Sequence, residues 1–256
     1  MTTADRYRGF LREHHRPSHA RRTAATHAAF LLPHLAEGDL VLDLGCGPGS
    51  ITAGLADAVG PAGAAIGVDL DPGPAAVPFV RADIHALPFP DGSFDAILLC
   101  AVLQHVADPL ATLVEARRVC RPAGVIGVAD ADWGSALVWP DDALLRRGQQ
   151  VLEALRAGTT VHVGRQLRGL LHDAGFVDAR VTARGGGGGG PGSPWEGEAQ
   201  AAMFGAPQVV DHVVEQGLAT REEMAAVAAA WRRWGADPAA TVARHWFEAV
   251  ATSPPS

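Results

Sequence analysis

The residues with the clearest chemical potential form a glycine-rich loop early in the chain. An apolar stretch over residues 39–44 runs into Gly45, Gly47 and Gly49, and a helix is expected from Ser50. Glycines allow a sharp turn and let the backbone approach a ligand without a Cβ in the way. The start of the helix presents unpaired backbone N–H groups to the same space. This order predicts a nucleotide-like ligand at the carboxyl end of a strand.

Carboxylates lie at or just after the ends of the first three predicted strands and could bind the polar parts of such a ligand. Asp43 could accept a hydrogen bond from a ligand amine or order the loop. Asp69 ends the second strand, where an acid can bind both ribose hydroxyls. Asp83 could accept the exocyclic amine of adenine, with Ile84 packing on the ring. A cap or turn role is the alternative for Asp69 and Asp83, and it is weaker for Asp69 because no good helix follows it.

Histidines are the candidates for acid–base chemistry because their pKa lies near neutrality. His105 follows the fourth predicted strand, where a base or substrate orienter and a structural, helix-capping residue are equally weighted interpretations. His19 is the second catalytic candidate, but for this residue a surface position without a catalytic role is the favoured interpretation. The spacing of His14, His15 and His19 matches no zinc pattern, so no metal site is predicted.

The elements that must position these residues alternate between short apolar strands and helices. That alternation is typical of a parallel sheet with helices on both faces. The strands are predicted over residues 39–44, 64–69, 79–81, 94–100 and 124–130, and the helices over 50–59 and 108–121. A helical segment over residues 5–36 precedes them.

Beyond residue 130 the pattern becomes mainly helical. The predicted elements are helices over 140–157 and 164–174, a strand over 176–183, two helices within 196–236 and a closing strand over 244–252. Six consecutive glycines, residues 185–190, predict a flexible loop. We expect a single domain over residues 1–256, made of an N-terminal helical cap (1–36), a ligand-binding core (37–184) and a helical lid insertion (191–240).

Composition and charge limit the class of partner. The 256 residues carry a formal net charge of −7, which does not favour nucleic acid. A solvated helix face is favoured over an anionic-substrate site for the one basic cluster, which comprises Arg6, Arg8, Arg12, Arg16, Arg21 and Arg22. No apolar run is long enough to span a membrane, and three cysteines suggest no disulfide framework. We expect a cytoplasmic protein with a small-molecule substrate and no nucleic-acid or membrane partner. The sequence leaves open whether the protein forms a homodimer.

Five sequence blocks in a fixed order make residues 41–130 resemble a known family. The blocks are VLDLGCGPG, GVDLD, RADIHALPFPDGSFDAI, LQHVADP and RRVCRPAGVIGVAD. They are similar to the core of class I methyltransferases that use S-adenosyl-L-methionine (SAM), particularly the small-molecule methyltransferases related to the ubiquinone and menaquinone methylases. The resemblance implies a Rossmann-like, doubly wound α/β fold. Its seven-stranded sheet would be mostly parallel with an antiparallel last strand, and N-terminal helices and a helical lid insertion would accompany it.

The same resemblance implies SAM as the cofactor and assigns the residues around it. The glycine loop would contact the methionine portion, Asp69 the ribose, and Asp83 with Ile84 the adenine. Cys100 and Ala101 would lie beside the sulfonium. The full set of implied cofactor-binding residues is Asp43, Gly45, Cys46, Gly47, Gly49, Asp69, Leu70, Asp83, Ile84, Cys100 and Ala101. His105 and His19 remain the catalytic candidates.

Residues 70–77 depart from the family pattern. Only LDPGPAAV separates the second strand from the third, whereas a parallel crossover usually needs about a dozen residues or more. The adenine side is therefore expected to be more open.

The resulting interpretation is a SAM-dependent methyltransferase acting on a small-molecule acceptor of secondary metabolism. In the first alternative, a protein of the same fold catalyses a reaction such as cyclisation, with SAM bound and not consumed. A noncatalytic SAM binder and a nicotinamide reductase are further alternatives. For the reductase, the third glycine falls one position early.

Overall fold

A computed structural model of the chain describes residues 20–70, 77–156, 160–189 and 193–255. The described residues form two compact units. The α/β unit contains residues 20–70, 77–132, 160–184 and 246–255, and the helical unit contains residues 133–156, 185–189 and 193–245.

The described secondary structure comprises strands and helices that alternate at first and then become mainly helical. The strands are β1 (Leu40–Leu44), β2 (Ala64–Asp69), β3 (Phe79–Arg81), β4 (Phe94–Cys100), β5 (Cys120–Trp139), β6 (Val177–Gly189) and β7 (Thr241–Thr252). The α-helices are α1 (Ala24–His27), α2 (Ser50–Val59), α3 (Pro109–Val119), α4 (Ala143–Leu155), α5 (Val163–Asp173), α6 (Ser193–Gly205), α7 (Pro207–Glu215) and α8 (Arg221–Ala236).

The strands form one seven-stranded sheet in the order β3-β2-β1-β4-β5-β7-β6. The first five strands pair in parallel, and Asp43 of β1 aligns with Gly67 of β2 and Leu98 of β4. The strand order reverses direction between β1 and β4. Ligands of doubly wound sheets bind at such a switch point, outside the carboxyl ends of the strands.

The last strand, β7, runs antiparallel to β5, as the family resemblance implied. Near the start of β5, the Ser253 N–H donates to the Gly124 carbonyl over 2.8 Å. Further along β5, the His245 N–H donates to Ser135 Oγ over 3.1 Å. Residue numbers therefore rise along β5 while they fall along β7, which confirms the seven-stranded mixed sheet.

The α/β unit is held by apolar side chains on both faces of its parallel strands. Side chains alternate between faces along a strand, so Leu42 and Leu44 enter one cluster while Val41 enters the other. Helices α3 and α5 cover the first face through Leu113 and Leu167, which are fully buried. The second face is covered by α2 and by the segment around α1, through Leu55, Ala28 and Leu31. Strands buried on both faces explain the continuous apolar runs in the sequence.

The helical unit has its own core, built mainly by α4, α6 and α8. Phe204, Trp231 and Trp234 are buried there, and the two indoles meet edge to face with centroids 5.3 Å apart. A Cβ on Gly197 of α6 would lie 2.6 Å from the Trp231 carbonyl oxygen. Helix α6 therefore packs on α8 at a distance that only glycine allows at this position.

Three sequence-based predictions about these elements need correction. Within the described part of the 5–36 segment, the prediction of one continuous helix is wrong. Instead α1 ends at His27, because Ala28 has a φ of −130°, and a 3-10 turn follows over Leu32–His34. Pro33 lies in that turn and lacks the N–H needed to continue an α-helix.

The second correction concerns the glycine run, and the third concerns the helices after it. Residues 185–189 belong to β6 and not to a flexible loop. A Cβ on Gly187 would lie 2.1 Å from the Val242 carbonyl oxygen, so the close backbone approach of β7 favours glycine there. Three helices, not two, follow the run, because Ala206 is extended (ψ 127°) and Pro207 begins a new helix.

The short link between β2 and β3 lies largely outside the described residues, which omit 71–76. On either side of it the two strands pair in parallel, with Gly67 opposite Phe79. In the part of the chain that the structure describes, no helix has the length and apolar character needed to cross a membrane.

Candidate cofactor and active site

A cavity of about 320 Å³ opens in the α/β unit at the carboxyl ends of β1, β2 and β4. Its volume lies at the lower end of the range of about 300–1,000 Å³ that is usual for small-molecule sites. It brings together ten of the sequence-predicted residues: Asp43, Gly45, Cys46, Gly47, Asp69, Leu70, Ile84, Cys100, Ala101 and His105. The sequence reasoning missed six further lining residues: Arg22, Pro48, Ser50, Ile51, Val102 and Val106.

The glycine loop has the backbone geometry that its sequence predicts. Gly45, Gly47 and Gly49 have φ angles of +74°, +51° and +76°. A Cβ on Gly45 would lie 2.5 Å from Cγ2 of Val102. Gly49 precedes α2 as its N-cap and lies outside the cavity lining. The loop is thus closed against the segment that follows β4, which leaves its backbone facing the cavity.

Asp43 is a buried carboxylate at the base of the loop. The Thr52 hydroxyl donates to its Oδ2 over 2.6 Å. Burial raises the pKa of Asp43 to about 6, although the hydrogen bond from Thr52 opposes the rise. A carboxylate held in this way can order the loop or accept from a ligand amine, so both sequence interpretations remain compatible with its position.

Asp69 connects the end of β2 to the same loop. The Gly47 N–H donates to its Oδ2 over 2.9 Å, and the side chain also lines the cavity. The carboxylate has a second oxygen, Oδ1, with which it could accept from a ligand hydroxyl. The loop contact was not part of the sequence prediction, and it explains how the acid is oriented.

Asp83 and Ile84 take different positions. Ile84 lines the cavity, whereas Asp83 does not. Asp83 is exposed, and its Oδ1 accepts from the His85 N–H and contacts His85 Nδ1, both at 2.9 Å. These hydrogen bonds hold the pKa of Asp83 below its usual range. This is the turn geometry that the sequence left as an alternative, and adenine binding by Asp83 stays a prediction.

A second wall of the cavity follows β4 and consists of Cys100, Ala101, Val102, His105 and Val106, and a 3-10 turn spans Leu103–His105. Ala101 has a positive φ of 60°, which is uncommon for a residue with a Cβ. Burial raises the pKa of the Cys100 thiol to about 12, so this thiol is not a nucleophile at neutral pH. His105 lies at the end of the turn and lines the cavity.

Asp130, in the middle of β5, supports this wall through hydrogen bonds. The N–H groups of Gln104 and Ala131 donate to its carboxylate over 3.3 and 3.0 Å. Its side chain is fully buried, and burial raises its pKa to about 7 against the effect of these hydrogen bonds. The carboxylate thus ties the turn that carries His105 to the neighbouring strand.

Arg22 is the lining residue whose sequence interpretation was wrong. The basic cluster was assigned to a solvated helix face, but Arg22 is half-buried and lines the cavity. Its guanidinium lies over the Trp246 ring, 5.5 Å from the centroid. The burial of Arg22 depends on Trp246 of β7, which is remote in sequence. The spacing of the arginines therefore could not show that Arg22 is half-buried while Arg21 is exposed. The catalytic candidate His19 lies outside the described residues.

Comparison with known proteins indicates the family to which the chain is related. Residues 42–128 match the family model described as a methyltransferase domain. An uncharacterized methyltransferase of Schizosaccharomyces pombe is 36% identical over 186 residues, which are 64% of this chain and 66% of that protein. The demethylmenaquinone methyltransferase of Staphylococcus aureus is 29% identical over 176 residues, covering 59% of this chain and 73% of the enzyme.

The chain therefore contains a methyltransferase domain that is related to the class I SAM-dependent methyltransferases. Its fold is shared with a solved structure of Haemonchus contortus phosphoethanolamine N-methyltransferase 2 in complex with SAM. That similarity has a TM-score of 0.50 at 16% identity and covers 86% of this chain and 49% of that one. The chain spans 45 to 66% of the length of the first curated relatives that it matches.

SAM is the cofactor of this methyltransferase family, and the cavity fits it. The loop has no room for a Cβ at Gly45, which is what a backbone-lined ligand cradle requires. Asp69 and Ile84 offer an acceptor and an apolar surface suited to a nucleoside. Asp43 lies near the end where an amino-acid group would be placed. The donor set is therefore consistent with the two chemically different ends of SAM.

Proposed function

We propose that this methyltransferase moves the methyl group of SAM to a small-molecule acceptor, with secondary metabolism as its setting. The observation that carries the proposal is the position of His105 in the wall of the cofactor cavity, two strands across the sheet from Asp69. We expect this titratable side chain to lie near the methyl group, because it lines the same cavity as Cys100 and Ala101, which the family resemblance puts beside the sulfonium.

The residues of the chain act mainly by positioning. When bound, SAM supplies an electrophilic methyl group on its sulfonium. The loop and Asp69 hold the cofactor in one orientation, and the Cys100–Ala101 wall excludes water from one side. Alignment of two reactants accounts for a large part of such catalysis. His105 would orient the acceptor or take its proton, because a neutral imidazole can accept one near pH 7.

A small acceptor agrees with the charge of the chain. The net charge of −7 gives no general attraction for nucleic acid, and specific nucleic-acid binding normally relies on a basic face. Screening of metabolites, and not analogy with relatives, is needed to identify the acceptor and the atom (O, N or C) that receives the methyl group.

Calorimetric titration with SAM and S-adenosylhomocysteine tests the cofactor half of this proposal. Wild type should bind both, and Asp69→Ala should bind each at least tenfold more weakly, because the loop N–H and the ligand lose their shared acceptor. Asp173→Ala, at an exposed site on α5, is the matched control and should bind as wild type does. Absence of SAM binding to the folded wild type would contradict the proposal.

Mass spectrometry of metabolite pools incubated with enzyme and SAM tests the reaction half. Methyl transfer predicts a product that gains one methyl group, together with S-adenosylhomocysteine in equal amount. Cyclisation or a related reaction predicts a rearranged product with SAM intact, and that result would replace methyl transfer by the alternative. His105→Ala should lower turnover by about 10²–10⁴-fold if His105 is the base, with cofactor binding unchanged.

A further inference from the structure

A buried carboxylate of the α/β unit holds two side chains that the mechanism above does not use. The Asp132 side chain, in β5, is 1% exposed. Arg165 donates to both of its oxygens through Nε and Nη2, and the distance from Nη2 to Oδ1 is 2.8 Å. His162 Nδ1 lies 3.4 Å from the same Oδ1. A carboxylate enclosed in this way needs charged partners, so the three residues form one ionic cluster.

The cluster lies past the cofactor cavity at the same edge of the sheet. The cavity opens at the carboxyl ends of β2, β1 and β4, and β5 is the next strand in the sheet. Cys100, the last residue of β4, is the register partner of Ala129. Asp132 lies three residues further along β5, about 10 Å beyond that level. Ligands of doubly wound sheets lie outside the strand ends, so an acceptor on the β4 side of the cofactor meets this cluster.

The first turn of α5 fixes His162 against β5. His162 is the N-cap residue of α5, and a Cβ on Gly164 would lie 3.1 Å from the Asp130 carbonyl oxygen. The Asp130 carboxylate accepts the Gln104 N–H in the turn that carries His105. The start of α5, the middle of β5 and the His105 turn are therefore in contact with one another, and both histidines border the same part of β5.

The two ring nitrogens of His162 have different surroundings. Nδ1 is buried and faces Asp132, while the whole side chain is 39% exposed, so the exposure belongs to the rest of the ring, which includes Nε2. A carboxylate has about four acceptor positions, and Arg165 takes two of them. The neutral ring would therefore carry its proton on Nδ1 and keep the lone pair on Nε2. The distance of 3.4 Å is longer than a hydrogen bond, and catalytic pairs often tighten only when the substrate binds.

We propose that His162 takes the proton of a hydroxyl, phenol or amine acceptor, and that Asp132, held by Arg165, is its positioning residue. This inference rests on the proposed function, because it takes methyl transfer as the reaction, and it leaves His105 with the orienting role. The acceptor gives its proton to Nε2 while its electron pair forms the bond to the methyl carbon. The electron pair of the broken carbon–sulfur bond stays on sulfur. Asp132 then stabilises the imidazolium, as a buried carboxylate does for a histidine base.

The kinetics of the methylated product formed from the metabolite pool test this assignment. His162→Gln should lower kcat by about 10²–10⁴-fold, while the Kd of S-adenosylhomocysteine stays within about twofold of wild type. The kcat of wild type should rise between about pH 5 and pH 8 and then level off, and His162→Gln should lack this inflection. Asp132→Asn should lower kcat at least about tenfold. His172→Gln, at the exposed far end of α5, is the matched control and should leave kcat unchanged.

Nitrogen-15 NMR of the histidine-labelled protein tests the orientation of the ring without the reaction. The signals that disappear in His162→Gln identify His162. At pH 8.5 its neutral ring should carry the proton on Nδ1, and this preference should be lost in Asp132→Asn, because the acceptor facing Nδ1 has changed. A wild-type ring with its proton on Nε2 would overturn the inference, whether or not a product is formed.

The remaining outcomes also decide. An unchanged kcat in His162→Gln, with the pH inflection lost in His105→Gln instead, would assign the proton to His105 and overturn the inference. A joint loss of cofactor affinity and thermal stability in His162→Gln would show that the cluster only supports the fold. If Asp132→Asn unfolds, His162→Gln decides, because it leaves the Asp132–Arg165 pair intact. If wild type binds SAM and forms no methylated product, the proposed function fails, and the NMR result still decides whether Asp132 orients His162.

Discussion

Gly45 shows at the scale of one residue how the loop depends on the segment opposite it. Its φ is positive and the Val102 side chain occupies the space where a Cβ would project. Gly47 also has a positive φ, but no atom lies within 4 Å of its Cβ position. A side chain at Gly47 would therefore meet only backbone strain, whereas a side chain at Gly45 would meet backbone strain and a steric clash with Val102.

We expect Gly45→Ala to destabilise the protein by about 2–4 kcal/mol, against about 1–2 kcal/mol for Gly47→Ala. Urea unfolding of the two variants measures the difference. Adding Val102→Ala to Gly45→Ala should recover the steric part, so the pair should be non-additive. Equal costs for both glycines would contradict the role given to Val102.

Thr52 provides a second test at this scale, through the pH dependence of stability. In Thr52→Val the buried Asp43 loses its 2.6 Å hydrogen bond, so its pKa should rise above the wild-type value of about 6. The lost hydrogen bond should cost about 1–3 kcal/mol at pH 8, where the carboxylate is charged, and less at pH 5, where it is protonated. Denaturant unfolding at the two pH values checks this. Thr182→Val, at an exposed position, should show no such difference.

At the scale of elements, the connection between β4 and α3 is shaped by an acid from β5. Asp130 accepts N–H groups from the 3-10 turn, and the turn carries His105 to the cavity. The loop that follows β4 is thus held by a side chain from the middle of the neighbouring strand β5. Such support from a packed strand is what makes a loop residue suitable for catalysis.

Asp130→Asn should change the pH profile of stability. Because the folded-state pKa of about 7 lies above the unfolded value of about 3.8, the aspartate favours the folded state most below pH 4 and progressively less up to pH 7. The amide does not titrate, so the variant should lack this decline between pH 4 and pH 7. Asp57→Asn, exposed on α2, should retain it. An unchanged slope in Asp130→Asn would show that Asp130 does not carry a raised pKa.

At the scale of the whole molecule, a ligand that binds only the folded cavity should stabilise the fold by mass action. At a concentration 100 times its Kd, S-adenosylhomocysteine should add about 2.7 kcal/mol to the free energy of unfolding. Differential scanning calorimetry should therefore show a rise in Tm that is about half as large, or smaller, in Asp69→Ala. Saturating ligand without any rise would contradict a preformed site in the α/β unit.

The sequence by itself determined the parts of the molecule whose signals are local. The glycine loop, the strands of the parallel sheet and the acids Asp43 and Asp69 follow from residue type and spacing over a few positions, because turns and apolar strands have short-range requirements. The antiparallel last strand came from the family resemblance. The boundaries of β1 to β4 agreed with the structure to within one residue.

Only the tertiary structure decided the features that depend on partners remote in sequence. The glycine run became part of β6 because the backbone of β7 lies against it. Asp83 turned toward His85, and Ile84 alone reached the cavity. Arg22 entered the cavity because Trp246, more than two hundred residues later, provides the surface on which it rests. Such long-range contacts leave no periodicity in a single sequence, so local patterns cannot distinguish a buried arginine from its exposed neighbour.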